Sequence, residues 1–209
     1  MKRVGISHRV DVIPSYGERR DSIDQAWYKL MLSLGWLPVP LANIPANYID
    51  TLMESLDLSG IILSGGNSIT ELDPNADDSA PERDQFEYAL IQYALEHDLP
   101  LIGVCRGMQI INHYFGGAFK QVEGHIATQH ELIHLSADYD LPTSVNSFHR
   151  WAIPSTGLAS PLRAIASDNM GNIEAFTHES RPVLGIMWHP EREDVFNQLD
   201  INLLKRVIL

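Results

Sequence analysis

A chain of 209 residues with 44% hydrophobic residues is long enough to bury a core and too apolar to stay disordered. Its 27 acidic residues against 15 basic ones leave a formal charge of −12 with no basic stripe, so no nucleic-acid partner is expected. One cysteine cannot form an internal disulfide, no apolar run reaches the roughly 18 residues of a bilayer span, and the start "MKRVGISHR" turns polar too soon for a signal peptide; a cytoplasmic protein without a membrane partner is expected.

Strand and helix patterns then alternate along the chain. Val4–Ile6 reads as a short first strand, and Asp11–Arg20 as a polar loop. Ile23–Leu34 carries apolar residues at helical spacing (Ile23, Trp27, Leu30, Met31, Leu34), with Asp21 or Ser22 suited to cap it and Gly35 to end it. Leu37–Leu41 is extended and Tyr48–Leu56 a short helix. The run "GIILSGG" at Gly60–Gly66 is an unbroken apolar stretch ending in paired glycines, the pattern of a strand buried on both faces of a parallel sheet. A long loop over Asn67–Ala80 precedes a helix at Glu82–His97, a second buried strand at Leu99–Val104 and a helix at Gly107–Tyr114.

Beyond Gly116–Gly117 the pattern is less regular. Ile126–Leu135, Thr143–Phe148, Leu162–Ser167 and Ile173–His178 read as shorter, partly antiparallel strands. Val183–Trp188 is a last buried strand and Asp200–Leu209 a closing helix. Without repeat or linker, the expectation is one α/β domain over residues 1–209: a three-layer sandwich with a mostly parallel central sheet plus a small antiparallel sheet.

The chemistry concentrates at "GVCRGMQ", Gly103–Gln109. A nucleophile flanked by glycines between a buried strand and a helix marks a sharp turn, and the helix N-terminus favours the thiolate. Cys105 is therefore a candidate nucleophile. Its candidate partner is His189 in "WHPE", directly after the last buried strand; Glu191, two residues on, would project to the same side of an extended segment and orient the ring. The Gly65–Gly66 pair and the N–H of Arg106 suit an oxyanion. All of these follow strands, at the edge where open parallel sheets bind ligands. His125, His130, His134 and His149 lack a tight ligand spacing, so neither a metal nor any other cofactor is expected.

Taken together, "ILSGGNS", "GVCRGMQIINHYFGG", "VNSFH" and "GIMWHPE" resemble the class I glutamine amidotransferase-like family, and within it the γ-glutamyl hydrolase (peptidase C26) branch. The resemblance runs over nearly the whole chain. It implies a flavodoxin-like fold and cleavage of a γ-glutamyl amide through a glutamyl thioester, with Cys105 as nucleophile, His189 as base and acid, and Glu191 orienting it. It implies oxyanion donors at Gly66 and Arg106. Substrate contacts would come from Gly65, Gln109, Ser147, Phe148 and His149. The partner would be a small γ-glutamyl molecule, with a homodimer left open. Arg106 after the cysteine and Arg83-Asp84-x-x-Glu87 resemble the hydrolases rather than ammonia-supplying subunits of synthetases. Many relatives read His-His-Gln where this chain has His149-Arg150-Trp151, which reshapes the substrate rim. With Arg19 and Arg20 also near the site, that rim suits a phosphate-bearing leaving group, and the chain is similar in size and motif style to γ-glutamyl-CDP-amidate hydrolases of capsule biosynthesis. Two alternatives stand beside this reading: a glutaminase subunit feeding ammonia to a separate synthase, and a non-enzymatic binding relative, against which the intact Cys, His and Glu argue.

Overall fold

The computed structural model describes residues 1–209. β1 (Lys2–Ser7) leads into a hairpin of β2 (Arg9–Val12) and β3 (Arg19–Ser22), followed by α1 (Gln25–Ser33) and β4 (Trp36–Leu41). Next come α2 (Ile49–Leu56), β5 (Gly60–Leu63), α3 (Pro81–Glu96), β6 (Leu101–Val104) and α4 (Arg106–Tyr114). The second half supplies β7 (Lys120–Gln121), β8 (Ile126–Glu131), β9 (Ile133–His134), β10 (Ser144–Phe148) and β11 (Trp151–Pro154). It ends with β12 (Leu162–Ser167), β13 (Asn172–His178), β14 (Val183–Ile186) and α5 (Gln198–Val207).

The main sheet runs β4-β1-β5-β6-β14-β13-β11-β7, with β12 and β9 attached beside β13. From β4 to β14 neighbouring strands are parallel; from β14 outward they pair antiparallel. Every residue of β5, β6 and β14 is buried. That is why their sequences are unbroken apolar runs: both faces are covered by helices. Ile62, Ile102 and Leu184 pack with Trp27 and Leu30 of α1 and Leu203 and Leu204 of α5. Their neighbours Ile61, Leu101 and Val183 face the other way, into a cluster with Met53 of α2, Phe86 and Leu90 of α3 and Ile111 of α4. The result is the expected α/β class, three layers about a sheet with a parallel core, plus two small antiparallel sheets, β2–β3 and β8–β10. No helix is long and apolar enough to cross a membrane.

The structure departs from the sequence expectations at several edges. Asp11–Arg20 is not simply a loop, because its ends belong to the β2–β3 hairpin, in register from Arg9↔Ser22 to Val12↔Arg19. Those strands are mostly solvated, so ladder hydrogen bonds rather than burial hold them and no apolar alternation betrays them. With Asp21 and Ser22 inside β3, the cap of α1 falls to Asp24, whose side chain accepts from the Ala26 N–H at 2.9 Å. The expected strand Ile126–Leu135 breaks at Leu132, which turns inward while its N–H bonds the Thr143 carbonyl. β8 therefore pairs with β10, and β9 with β12. α5 starts two residues earlier than expected, behind an Asn197 cap.

Besides its packing, α5 is tied to the sheet end by a buried hydrogen bond, Trp188 Nε1–H donating to Asp200 Oδ1 at 3.0 Å. Burial pushes the Asp200 carboxyl up to about 6; the Trp188 bond works against that and Glu193 adds to it. A folded-state pKa above the unfolded value means that the folded protein binds the extra proton, so stability falls as pH rises from about 4 to 6. Asp200→Asn keeps an acceptor for Trp188 and removes this slope. Urea midpoints of the two proteins should converge near pH 4, with the variant more stable by up to about 2–3 kcal/mol at pH 7. Parallel curves at all pH values would contradict this account.

Candidate active site

The parallel strands deliver their ends to one place. β6 stops at Val104, and the chain turns at Cys105 directly into α4. Cys105 has φ 52° and ψ −105°, a conformation that non-glycine residues avoid. The turn is held on both sides: the Cys105 N–H donates to Ile186 of β14 at 2.8 Å, and its carbonyl accepts from the Gln109 N–H at 3.0 Å. The flanking glycines make this closeness attainable. A Cβ on Gly103 would lie 2.4 Å from the Gly107 carbonyl oxygen, and one on Gly107 2.0 Å from that of Leu63. The thiol thus sits at the positive end of α4.

His189 follows β14 and reaches the same point. Its Nδ1 lies 2.7 Å from Glu191 Oε1 and donates to it. With Nδ1 engaged by Glu191, the ring leaves Nε2 for the sulfur of Cys105 close by. Burial alone would lower the imidazole pKa. The neighbouring Cys105 and the Glu191 carboxylate outweigh burial and raise the pKa to about 9. The segment is not extended as expected: Pro190–Arg192 forms a single 3-10 turn, and it is this turn that swings Glu191 back under the ring. Gly65 makes room, since a Cβ there would stand 2.7 Å from His189 Cε1. The sequence reading overlooked Asn146. Its side-chain amide brackets the His189 backbone, accepting from the N–H and donating to the carbonyl, both at 2.9 Å. Phe148 meets the imidazole edge-on at a centroid distance of 5.6 Å, and the Arg192 guanidinium caps the other side of that phenyl ring.

The β5 loop is aimed by a cation beneath it. Arg83 of α3 is fully buried and donates to the carbonyls of Ser64, Gly65 and Gly66. In a trans peptide the N–H points opposite to the C=O, so drawing the Gly65 carbonyl toward Arg83 turns the Gly66 N–H the other way. The Arg106 N–H opens α4, where a helix has no internal acceptor for it. The Arg106 side chain points inward instead, to Glu87 and Asp84. Glu87 also accepts from Arg83 at 2.9 Å and from the Ser7 hydroxyl at 2.7 Å. Burial would raise the Glu87 pKa, but Arg106 and Arg83 hold it below the usual range and keep the carboxylate charged.

A cleft of about 600 Å³ opens over Cys105, walled by Gly66, Gln109, Phe148, His149, Arg150 and Trp151 together with Asp73, Asp77 and Asp78. His189 and Gly65 line a small adjoining recess that shares Gly66 with it. A larger hollow, about 770 Å³, lies at the opposite strand ends between Met1 and Leu209 and is lined by neither cysteine nor histidine. Of the expected substrate contacts, Gln109 borders the cleft with its amide nitrogen engaged by the Trp151 carbonyl at 2.8 Å. Ser147 is fully buried, its hydroxyl donating to the His125 carbonyl at 2.9 Å and facing away from the cleft. Arg19 and Arg20 are not at this rim: Arg19 pairs with Glu82 and Arg20 with Glu18 on the surface. The reading that the histidines lack a ligand pattern is corrected in space. His134 stands apart, bonded to the Pro142 carbonyl, but His125, His130 and His149 converge with Glu174, which linear spacing could not reveal.

The Peptidase C26 family matches residues 4–191. The chain is 36% identical over 202 residues to the γ-glutamyl-CDP-amidate hydrolase of Campylobacter jejuni, covering 95% of this chain and 94% of that one. It is 28% identical to the glutamine-hydrolysing GMP synthase subunit of Methanococcus aeolicus over 83% of this chain and 87% of the relative. In fold it is similar to a glutamine amidotransferase from Thermotoga maritima, with a TM-score of 0.63 at 14% identity over 98% of this chain and 83% of that one.

The charged neighbours of His189 set a testable titration. In Glu191→Gln the imidazolium loses its carboxylate, so its pKa should fall from about 9 toward the ordinary value near 6.5. NMR of nitrogen-labelled histidine follows this directly. An unchanged midpoint would mean that Glu191 does not hold the charged ring.

Proposed function

Because the chain belongs to the Peptidase C26 family, we propose that it hydrolyses γ-glutamyl amides, with Cys105 as nucleophile, His189 as general base and acid, and Glu191 as the group that orients His189. The observation that carries this reading is the hydrogen-bonded His189–Glu191 pair set beside Cys105 at the carboxyl ends of β6 and β14.

The Cys105 thiolate attacks the side-chain carbonyl carbon of the glutamyl group, and the carbonyl electrons move to oxygen. The Gly66 and Arg106 N–H groups receive that oxyanion. Each such donor is worth roughly 3 kcal/mol in comparable enzymes. As the tetrahedral species collapses, the C–N bond breaks and the imidazolium protonates the leaving nitrogen. The product left on the enzyme is a glutamyl thioester. His189 then takes a proton from water, the hydroxide attacks the thioester carbonyl, and glutamate leaves as the thiolate is regenerated. An imidazole with a pKa of about 9 starts this cycle protonated at neutral pH, which suits it to act first as acid. The backbone of Phe148 and His149, with the Gln109 amide, borders the position of the glutamyl group.

For the leaving group we infer a nucleotide amidate such as γ-glutamyl-CDP-amidate, the compound named in the Campylobacter relative; a role in capsule biosynthesis follows only from the sequence resemblance. Arg150 and Trp151 on the cleft wall support this: one offers a cation to a phosphate, the other a flat face to a base. Beside Asp73, Asp77 and Asp78, Arg150 is the cation on which a diphosphate would depend, since the Arg106 guanidinium is buried against Glu87 and Asp84.

Glutamate release should be followed with glutamine, γ-glutamyl amines and γ-glutamyl-CDP-amidate. Cys105→Ala should lose essentially all turnover, at least about a thousandfold. Acid-quenched wild type should carry a glutamyl adduct on Cys105 in its mass spectrum. Equal glutamate release by wild type and Cys105→Ala would sink the hydrolase reading, and turnover of glutamine only with an added synthase would favour the ammonia-supplying alternative. Arg150→Ala should raise KM for the nucleotide amidate by roughly tenfold or more while leaving glutamine unaffected, a loss appropriate to one charge-assisted phosphate contact; an equal effect on both substrates would remove Arg150 from leaving-group recognition.

A further inference from the structure

A second cluster of chemically capable side chains lies under the cleft rim and takes no part in the scheme above. His125 comes from the turn before β8, His130 from β8, His149 from the turn after β10 and Glu174 from β13. One ligating atom of each lies within 4.8 Å of all the others. His130 Nε2, His149 Nε2 and both carboxylate oxygens of Glu174 are buried without a hydrogen-bond partner. Glu174 is 1% exposed and His149 3%. Buried polar atoms are almost always paired, so four orphans around one point call for a physical cause.

The ring tautomers sharpen the case. His149 Nδ1 lies 3.1 Å from the Trp151 carbonyl oxygen, and His130 Nδ1 3.3 Å from that of Glu131. A carbonyl only accepts, so the proton sits on Nδ1 in both rings and Nε2 carries a bare lone pair. These lone pairs face the Glu174 oxygens at 3.7 Å (His149) and 3.6 Å (His130). That is too long for a hydrogen bond, and it sets lone pair against lone pair. It is, however, the spacing of ligands around one ion: donors about 2.1 Å from zinc in a tetrahedron stand roughly 3.4 Å apart. A backbone carbonyl fixing the far nitrogen is also how ligating imidazoles are usually oriented. Asp168, its Oδ2 3.7 Å from His125 Nε2, adds a negative charge beside the cluster.

We propose that His125, His130, His149 and Glu174 form a site for a divalent transition-metal ion of the zinc class. Three imidazoles with one carboxylate favour such an ion over magnesium or calcium, which prefer oxygen. Four protein donors leave no open position, so the ion has a structural role. It ties the small β8–β10 sheet, whose outer strand is largely solvated, to β13 of the main sheet. In doing so it sets the height of Phe148 and His149 over Cys105. The proposal does not depend on the identity of the leaving group.

The experiment uses the Cys105→Ala protein, so that the thiol cannot be the ligand. After chelation and dialysis it is titrated with Zn²⁺ by calorimetry, and with Co²⁺ by visible absorption. The expected result is one equivalent bound with Kd below about 1 μM, an intense tetrahedral Co²⁺ spectrum, and a melting temperature raised by roughly 5–10 °C under a hundredfold excess of zinc over Kd. His130→Ala, at a half-buried β8 position, and Glu174→Gln should each weaken binding at least about a hundredfold, with circular dichroism checking that each variant is folded. Zinc uptake confined to proteins that retain Cys105 would place the ion on the thiol and overturn the proposal. So would no uptake at about 50 μM zinc, some fifty times the expected Kd, or affinity unaltered in folded His130→Ala.

Discussion

The site rests on four buried charges. Arg83, Asp84, Glu87 and Arg106 sum to zero and lie inside the layer between α3 and the sheet. Removing one member of such a group leaves its partner charged and dry, a loss of about 3–5 kcal/mol. The network's geometry matters more here than its energy. Glu87 touches β1 through Ser7, Arg83 holds the loop after β5 by three carbonyls, and Arg106 anchors the first turn of α4. Three separate strand ends are thereby set against one another, and the two N–H groups assigned to the oxyanion come from two of them. A neutral, purely apolar contact would pack equally well but would not orient carbonyl dipoles.

The turn at Cys105 and the His189–Glu191 pair were legible in the sequence because both are local. Gly103, Cys105 and Gly107 announce a bend within five residues, and His189 and Glu191 sit two apart behind an apolar run. Burial on both faces wrote β5, β6 and β14 plainly into the chain. What was not legible depends on contacts between distant segments. Asn146 finds the His189 backbone across 43 positions. Glu174 meets three histidines only because β13 runs past the turns flanking β8 and β10. The β2–β3 hairpin escaped notice for a different reason, since its strands bury little and carry no periodic signal. Arg19 and Arg20 illustrate the converse error: they were expected near the site as cations for a phosphate, but the hairpin carries them to Glu82 and Glu18 instead.

The two halves of the sheet divide the labour. The parallel half brings the Cys105 thiol, the His189 imidazole and the backbone of Gly66 and Arg106 together at its strand ends. The antiparallel half, with β8 and β10 folded over it, supplies the wall on which a leaving group would lie.

Asn146 joins those halves more closely than the layout suggests. The residue that clasps the His189 backbone is two positions before Phe148, so the imidazole and the cleft wall hang from a single strand. Any repositioning of β10 to suit a bulkier ligand would drag the imidazole out of line with the sulfur. Adaptation to a different leaving group is thereby channelled past the end of that strand, to Arg150 and Trp151, where side chains can be exchanged while the clasp stays shut.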